Sequence, residues 1–156
     1  MGINSKIVGI LNITQDSFSD GGKFLGIQSA LAKAESLQKE GADIIELSAQ
    51  SSNVSAVQVP DTLEWERIFP LIQFCKSRKI KISVDSYKPF VIGKCLEEKV
   101  DYINSINSFR DELSKNILME FTETSPELII MFSHNNGDFA KKESDPIEHG
   151  SDEADD

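Results

Sequence analysis

Cysteine is scarce in this chain. Cys75 and Cys95 are the two cysteines among 156 residues, and their spacing matches neither a zinc site nor a disulfide framework. Each falls in an apolar pattern of helical period, so we expect two buried free thiols. Free thiols are typical of the cytoplasm, where we therefore expect this protein to reside.

Basic residues and long apolar runs are also few. Lys and Arg number 16 against 26 Asp and Glu, and the net charge is -10, whereas non-specific nucleic-acid binding needs a basic surface. No apolar run reaches the roughly 18 residues of a spanning helix, and residues 1–6 lack the apolar stretch of a secretory signal. We expect neither nucleic acid nor a membrane as a partner.

Apolar strand-like runs alternate with segments of helical period. We predict strands at Lys6–Ile13, Ala42–Leu47, Ile80–Val84, Val100–Asn104 and Leu128–Met131, and helices at Gln28–Glu40, Asp61–Lys76, Pro89–Lys99 and Asp111–Thr122. This rhythm is typical of βαβ units and predicts an α/β fold with a parallel sheet. The strands are continuously apolar, as expected for a sheet covered by helices.

The second predicted helix carries the clearest local signals. We predict Asp61 as its N-cap, with Glu64 completing a capping box three residues later. Pro70 lies inside this helix and should bend or split it. The predicted buried stripe consists of Trp65, Ile68, Phe69 and Ile72.

A polar loop follows the first predicted strand. Asn12 and Thr14 stand at the strand exit, and the loop that runs to Gly22 is rich in small polar groups. These loop residues are Asp16, Ser17, Ser19 and Asp20. Barrel-type α/β enzymes place their chemistry where strands end, and this composition suits a diphosphate and its metal ion better than a core.

Three further strand exits also carry polar residues. Ser51-Ser52-Asn53 follows the second strand, Asp85 ends the third and Asn104 ends the fourth. Each has a purely structural alternative: the serine-rich run as ordinary turn material, Asp85 as the N-cap of the next helix, and Asn104 as a turn residue. A carboxylate accepts hydrogen bonds only, while an amide both donates and accepts, so Asp85 and Asn104 also suit the edge of a heterocycle.

The run Val8–Gly22, together with Asp85 and Asn104, resembles dihydropteroate synthase, a pterin-binding transferase of folate biosynthesis. The resemblance covers residues 6–134 and about half of that family's (β/α)₈ barrel. It therefore implies a partial barrel of about the first five strands and four helices, within residues 1–140. Residues 141–156 form an acidic segment that we expect to be a disordered tail, with an interaction tail as the alternative.

The resemblance implies that p-aminobenzoate displaces pyrophosphate from 6-hydroxymethyl-7,8-dihydropterin diphosphate. Asn12 would bind Mg²⁺, with the loop residues Thr14, Asp16, Ser17, Ser19 and Asp20 closing over the diphosphate. Asp85 and Asn104 would hold the pterin, and Ser52 would lie near p-aminobenzoate. No catalytic acid or base is assigned.

This chain departs from the family pattern in several places. The family's arginine and proline are missing after Ser52, as in divergent members that are insensitive to sulfonamides. Ser105 stands where the family has an aspartate, and Phe132 stands where it has a histidine. The roles that the resemblance implies for a second carboxylate near the pterin and for a histidine at the fifth strand exit therefore do not carry over to Ser105 and Phe132.

The sequence is also compatible with two other functions. The chain is alternatively a truncated, non-catalytic relic whose open sheet edges favour self-association, which makes a homodimer possible. A pterin-binding module of a methyltransferase is the other alternative. The loop from Asp16 to Gly22 favours the synthase over that module.

Overall fold

A computed structural model describes residues 5–13, 22–49, 58–121 and 126–131 of this chain. Strands and helices alternate, as predicted. The strands are β1 (Val8–Asn12), β2 (Ile44–Ser48), β3 (Lys81–Asp85), β4 (Tyr102–Ser105) and β5 (Glu127–Ile130), and the helices are α1 (Gly22–Lys39), α2 (Asp61–Ser77), α3 (Pro89–Glu97) and α4 (Glu112–Glu120). All four strand pairings are parallel, in the order β1-β2-β3-β4-β5. The predicted partial barrel with a parallel sheet is confirmed.

The sheet has two chemically different faces. One face packs against the helices and is apolar, and its buried residues include Leu11, Leu47, Val84 and Ile103. The opposite face is polar in the middle of the sheet and carries Glu46, Ser83, Asp85 and Asn104. The expectation of continuously apolar strands is therefore wrong for β2, β3 and β4, because their side chains alternate between an apolar core and a polar surface.

The core lies between the sheet and helices α2 and α3. Each helix contributes a stripe of fully buried side chains, namely Ile68, Leu71, Ile72 and Cys75 from α2 and Val91, Ile92, Cys95 and Leu96 from α3. Both cysteines are free and buried, as predicted. Burial raises the pKa of the Cys75 thiol to about 11, so this side chain packs as a neutral apolar group.

Helix α2 differs from its prediction in three details. Its N-cap is Pro60 without a side-chain hydrogen bond, so the predicted Asp61 cap and its capping box with Glu64 are wrong. Glu64 is instead buried and paired with Lys88. The helix runs from Asp61 to Ser77, so of the two predicted effects of Pro70, a bend or a split, the split is wrong. Phe69, predicted to be buried, is 36% exposed, and its ring lies 5.3 Å from that of Trp65 at an angle of 39°.

The outer strands of the sheet carry exposed apolar side chains. Within the described ranges, β1 pairs with β2 alone and β5 with β4 alone. Exposed apolar residues on and beside these strands are Ile7, Val8, Ile10, Leu128, Ile130 and Met131. In the part of the chain that the structure describes, no helix has the length and apolar character needed to cross a membrane. The predicted acidic tail, residues 141–156, lies outside the described residues.

Candidate functional site

The carboxyl ends of strands β1 to β4 bring polar side chains to one edge of the sheet. Asn12 pairs in register with Ser48 across β1 and β2, and Asp85 pairs with Asn104 across β3 and β4. The structure therefore brings the predicted residues Asn12, Asp85 and Asn104 to the same edge. This is the edge at which parallel α/β barrels place their active sites. Ser48, which the sequence analysis missed, is buried at the same edge.

Asp85 is a partly buried carboxyl group at the end of β3. Burial raises its pKa to about 6, and the negative charges of Glu46 and Glu64 add to this effect. The alternative role as a helix N-cap is wrong, because Lys88 occupies the N-cap position of α3. Nothing in the local backbone therefore requires an acid at this position. A carboxylate that is costly to bury and caps no helix is a candidate for ligand binding.

Asn104 lies within β4, which continues to Ser105, so it is not a turn residue. Its Nδ2 donates a hydrogen bond to Glu46 Oε2 at 3.3 Å. Its Oδ1 is buried and has no hydrogen-bond partner among the described residues. Because buried carbonyl oxygens are normally paired, this atom is a candidate acceptor for a ligand's N–H group.

Glu46 on β2 contacts Asn104 and was missed by the sequence analysis. Its Oε2 accepts a hydrogen bond from Ser83 Oγ at 3.0 Å as well as the bond from Asn104. The available signal was an acid inside the run Ile44–Leu47 and a hydroxyl inside the run Ile82–Val84. Polar residues at the same alternation in neighbouring strands indicate a polar sheet face.

The chain that leaves Asp85 is anchored by a buried ion pair. Lys88 Nζ lies 2.9 Å from Glu64 Oε2 and 3.6 Å from Asp61 Oδ1, and it also donates a hydrogen bond to the backbone carbonyl of Val59. The Ser86 amide donates to the Asn104 carbonyl at 3.0 Å. These contacts fix the segment between β3 and α3 on α2 and β4.

Ser105, where the resemblance implies an aspartate, has a structural role. It lies on the helix-facing side of β4, is fully buried, and donates through Oγ to Asn107 Oδ1 at 2.7 Å. The same Asn107 oxygen accepts a hydrogen bond from the Phe109 amide at 2.9 Å. Ser105 therefore stabilises the turn that follows β4 and adds no second carboxylate to the polar face.

Asn12 is the remaining described residue of the predicted metal site. Its side chain is exposed at the end of β1. Within residues 5–13, 22–49, 58–121 and 126–131, no cluster of three His, Cys, Asp or Glu side chains has metal-binding geometry. The predicted loop residues Thr14, Asp16, Ser17, Ser19 and Asp20, and the predicted p-aminobenzoate residue Ser52, lie outside the described residues.

The sequence of this chain is similar to those of pterin-binding enzymes. The model of the family described as "Pterin binding enzyme" matches residues 8–152. The chain is 49% identical over 105 residues to dihydropteroate synthase type-3 of Escherichia coli, covering 67% of this chain and 40% of that protein. It is 38% identical over 138 residues to dihydropteroate synthase type-2 of the same organism, covering 88% and 50%. The chain thus spans half or less of the length of these relatives.

Solved structures show the same likeness in three dimensions. Dihydropteroate synthase of Clostridium difficile, crystallised in the presence of pteroic acid, superposes with a TM-score of 0.75 and 32% identity, over 88% of this chain and 52% of that one. The enzyme of Anaplasma phagocytophilum, with bound 6-hydroxymethylpterin-monophosphate, gives a TM-score of 0.73 and 33% identity, over 83% and 49%. With a family match over most of its length and a shared half-barrel, this chain belongs to the pterin-binding enzyme family.

Proposed function

We propose that this chain supplies the pterin-holding part of a dihydropteroate synthase, which joins p-aminobenzoate to 6-hydroxymethyl-7,8-dihydropterin diphosphate and releases pyrophosphate. One observation carries the proposal. A partly buried carboxyl group, Asp85, lies in register beside Asn104, whose buried carbonyl oxygen is unpartnered among the described residues. Two adjacent acceptors at the carboxyl edge of a parallel sheet suit a flat ring that presents several N–H groups.

The described residues support binding and orientation of the pterin. The ionised Asp85 accepts hydrogen bonds from the amino group and a ring nitrogen of the pterin, and Asn104 Oδ1 accepts another. These bonds hold the ring so that its methylene carbon faces the amine of p-aminobenzoate, and such positioning accounts for much of the rate enhancement in displacement reactions. The carbon–oxygen bond to the diphosphate breaks as the carbon–nitrogen bond forms. Pyrophosphate leaves with the electron pair, and the proton that the amine loses passes to water.

The similar structures support this substrate class. One holds 6-hydroxymethylpterin-monophosphate and another was crystallised with pteroic acid, which contains both a pterin and a p-aminobenzoate unit. Exposed apolar side chains on β1 and β5, which each pair with one strand among the described residues, favour a second candidate function: a pterin-binding chain that self-associates and has no turnover.

Calorimetry and a pyrophosphate-release assay separate these functions. We expect 6-hydroxymethylpterin to bind with one site per chain. Pyrophosphate release above a no-enzyme blank, with both substrates and Mg²⁺ present, supports the synthase. Binding without turnover supports the second candidate. The absence of pterin binding at millimolar ligand would contradict both.

We further propose that Asn12 binds Mg²⁺ together with the diphosphate. Mg²⁺ prefers oxygen ligands and usually takes one or two from the protein, with the rest from phosphates and water. An exposed amide oxygen at the end of β1 fits this requirement. Bound Mg²⁺ would neutralise the leaving diphosphate.

Replacing Asn12 by alanine should remove the Mg²⁺ dependence of diphosphate binding. In the unmodified chain, about 5 mM Mg²⁺ should tighten binding of the pterin diphosphate by about tenfold, the equivalent of one charge-assisted contact. The same titration with 6-hydroxymethylpterin, which has no diphosphate, is the control and should be insensitive to Mg²⁺ in both proteins. An unchanged Mg²⁺ effect in Asn12→Ala would exclude Asn12 as a ligand.

Insensitivity to sulfonamides is a proposal from the sequence alone. Its basis is the Ser51-Ser52-Asn53 run, which lacks the arginine and proline of the usual p-aminobenzoate loop. A sulfonamide should therefore compete poorly with p-aminobenzoate for the pterin-loaded protein in a displacement titration. Competition at micromolar sulfonamide would refute it.

We propose that the protein resides in the cytoplasm. Its two buried free thiols are compatible with that reducing compartment. Within the described ranges, β1 and β5 each pair with a single strand, and we propose a homodimer formed through these outer strands, which sedimentation analysis tests directly.

A further inference from the structure

Glu46 lies on the polar sheet face and contacts Asn104, one of the two acceptors of the proposed pterin site. It is about nine-tenths buried, although no lysine or arginine is paired with it among the described contacts. Its Oε2 accepts hydrogen bonds from Ser83 Oγ and from Asn104 Nδ2. Burying an acid is costly, so a role beyond packing is needed to explain its presence.

The carboxylate of Glu46 selects one orientation of the Asn104 amide. An ionised carboxylate accepts hydrogen bonds and donates none, so the –NH₂ end of Asn104 must face it. The carbonyl end then turns away from Glu46 and lacks a partner among the described residues. A hydroxyl or a second amide in place of Glu46 would allow Asn104 to rotate by half a turn and present a donor.

We propose that Glu46 is a positioning residue of the proposed pterin site: it fixes Asn104 with its carbonyl oxygen toward the ligand, so that the site selects N–H donors. This inference rests on the proposed function. Asp85 and Asn104 both present acceptors, so the site selects a ring whose edge consists of N–H donors. A ring that presents a carbonyl or an unprotonated nitrogen to Asn104 Oδ1 would be rejected, since two acceptors would then face each other.

Glu46 also contributes to the charge around Asp85. The described groups that raise the pKa of Asp85 electrostatically are Glu46 on β2 and Glu64 on α2, and Lys88 is paired with Glu64. Removing the Glu46 charge should lower the pKa of Asp85. The ionised form then persists to lower pH, and the acid limit of pterin binding should move down in pH.

The test compares Glu46→Gln with the original chain, alone and in an Asn104→Ala background. The introduced glutamine has the shape of the glutamate but donates as well as accepts, so either orientation of Asn104 becomes possible. At a pH of about 8 we expect Glu46→Gln to weaken 6-hydroxymethylpterin binding by about tenfold, and to have no further effect once Asn104 is replaced. The matched control is Glu112→Gln, which removes the same charge from a side chain that is 83% exposed. It should change neither the affinity nor its pH dependence.

Two results would overturn the proposal: an unchanged affinity in Glu46→Gln, or an equal loss in the Asn104→Ala background. NMR of the ligand-free protein keeps the test separate from the proposed function. There, Glu46→Gln should give two sets of Asn104 side-chain amide resonances, one for each orientation of the amide, whereas a merely structural role would leave a single set. The titration midpoint of the Asp85 carboxyl carbon should also fall, which reports the lost charge alone. If the second set of resonances appears but the original chain binds no pterin, the positioning by Glu46 stands and the proposed ligand fails.

Discussion

Replacing Asp85 by alanine should weaken the binding of 6-hydroxymethylpterin by about 100-fold at a pH near 8. The ionised carboxylate supplies two charge-assisted hydrogen bonds, each contributing about 1.5–3 kcal/mol, and losing both costs roughly two orders of magnitude or more in affinity. Isothermal titration calorimetry measures this loss directly. Asp85→Asn tests the same point with an unchanged side-chain shape. Because its –NH₂ group would face the ligand's N–H donors, this variant should bind 6-hydroxymethylpterin at least as poorly as Asp85→Ala.

The control for this experiment is Asp101→Asn. Asp101 precedes β4 at the opposite end of the sheet, and its Oδ2 accepts a hydrogen bond from the Ile82 amide at 2.9 Å. We expect pterin affinity within about threefold of the original value in this variant. If Asp85→Ala also stays within about threefold, Asp85 does not belong to the pterin site.

The carboxyl group of Asp85 also makes the free energy of unfolding depend on pH. The direction in which folding shifts its pKa determines whether stability rises or falls with pH. Burial raises the pKa of Asp85 from 3.8 to about 6, so folding favours the protonated form. Its contribution to stability is fully present below a pH of about 4 and is lost as pH rises through 6, by up to about 3 kcal/mol. Asp85→Asn should therefore match the original chain at a pH of about 4 and exceed its free energy of unfolding at about 8. Urea titrations at both values measure the difference, and a lower stability of Asp85→Asn at the higher pH would contradict the assigned burial.

Much of the half-barrel could be predicted because its signals are local. Apolar runs of strand length alternate with helical periodicity, and this alone indicates parallel βαβ units. Asp85 and Asn104 could also be predicted as neighbours, because each comes at the end of a predicted strand and parallel strands end at one edge. The resemblance of Val8–Gly22 to one family then indicates the ligand class.

The errors arise where a distant contact outweighs a local signal. Asp61 and Glu64 have the spacing of a capping box, yet Glu64 turns inward because Lys88, from the segment after β3, is buried beside it. The residues next to Glu46 in the sequence predict an apolar strand. Its hydrogen-bond partners Ser83 and Asn104, however, come from two other strands. Which face of the sheet a strand residue occupies depends on the register between strands, and one segment of sequence does not determine that register.

The pairing of Lys88 with Glu64 leads to the prediction with the largest effect on stability. Their side chains are 8% and 1% exposed, and neither Glu64 oxygen accepts a well-aligned hydrogen bond among the described residues. Glu64 therefore depends on the nearby ammonium charge. Replacing Lys88 by methionine keeps the apolar stem and removes that charge, which should lower the free energy of unfolding by about 3–5 kcal/mol.

The double variant Lys88→Met with Glu64→Gln separates charge from packing. It has no unpaired buried charge, so most of the lost stability should return, as seen when buried ion pairs are replaced as a unit. Lys115→Met is the matched control, since Lys115 pairs with Glu112 at 2.9 Å on the surface, and its loss should cost less than about 1 kcal/mol. Urea unfolding at neutral pH measures the stability of all three variants.

If the double variant is as unstable as Lys88→Met alone, the lysine stabilises the fold through its backbone contact with Val59 and not through Glu64. If instead stability returns, the segment that follows Asp85 is held in place by charge, and pterin affinity in Lys88→Met should fall together with stability.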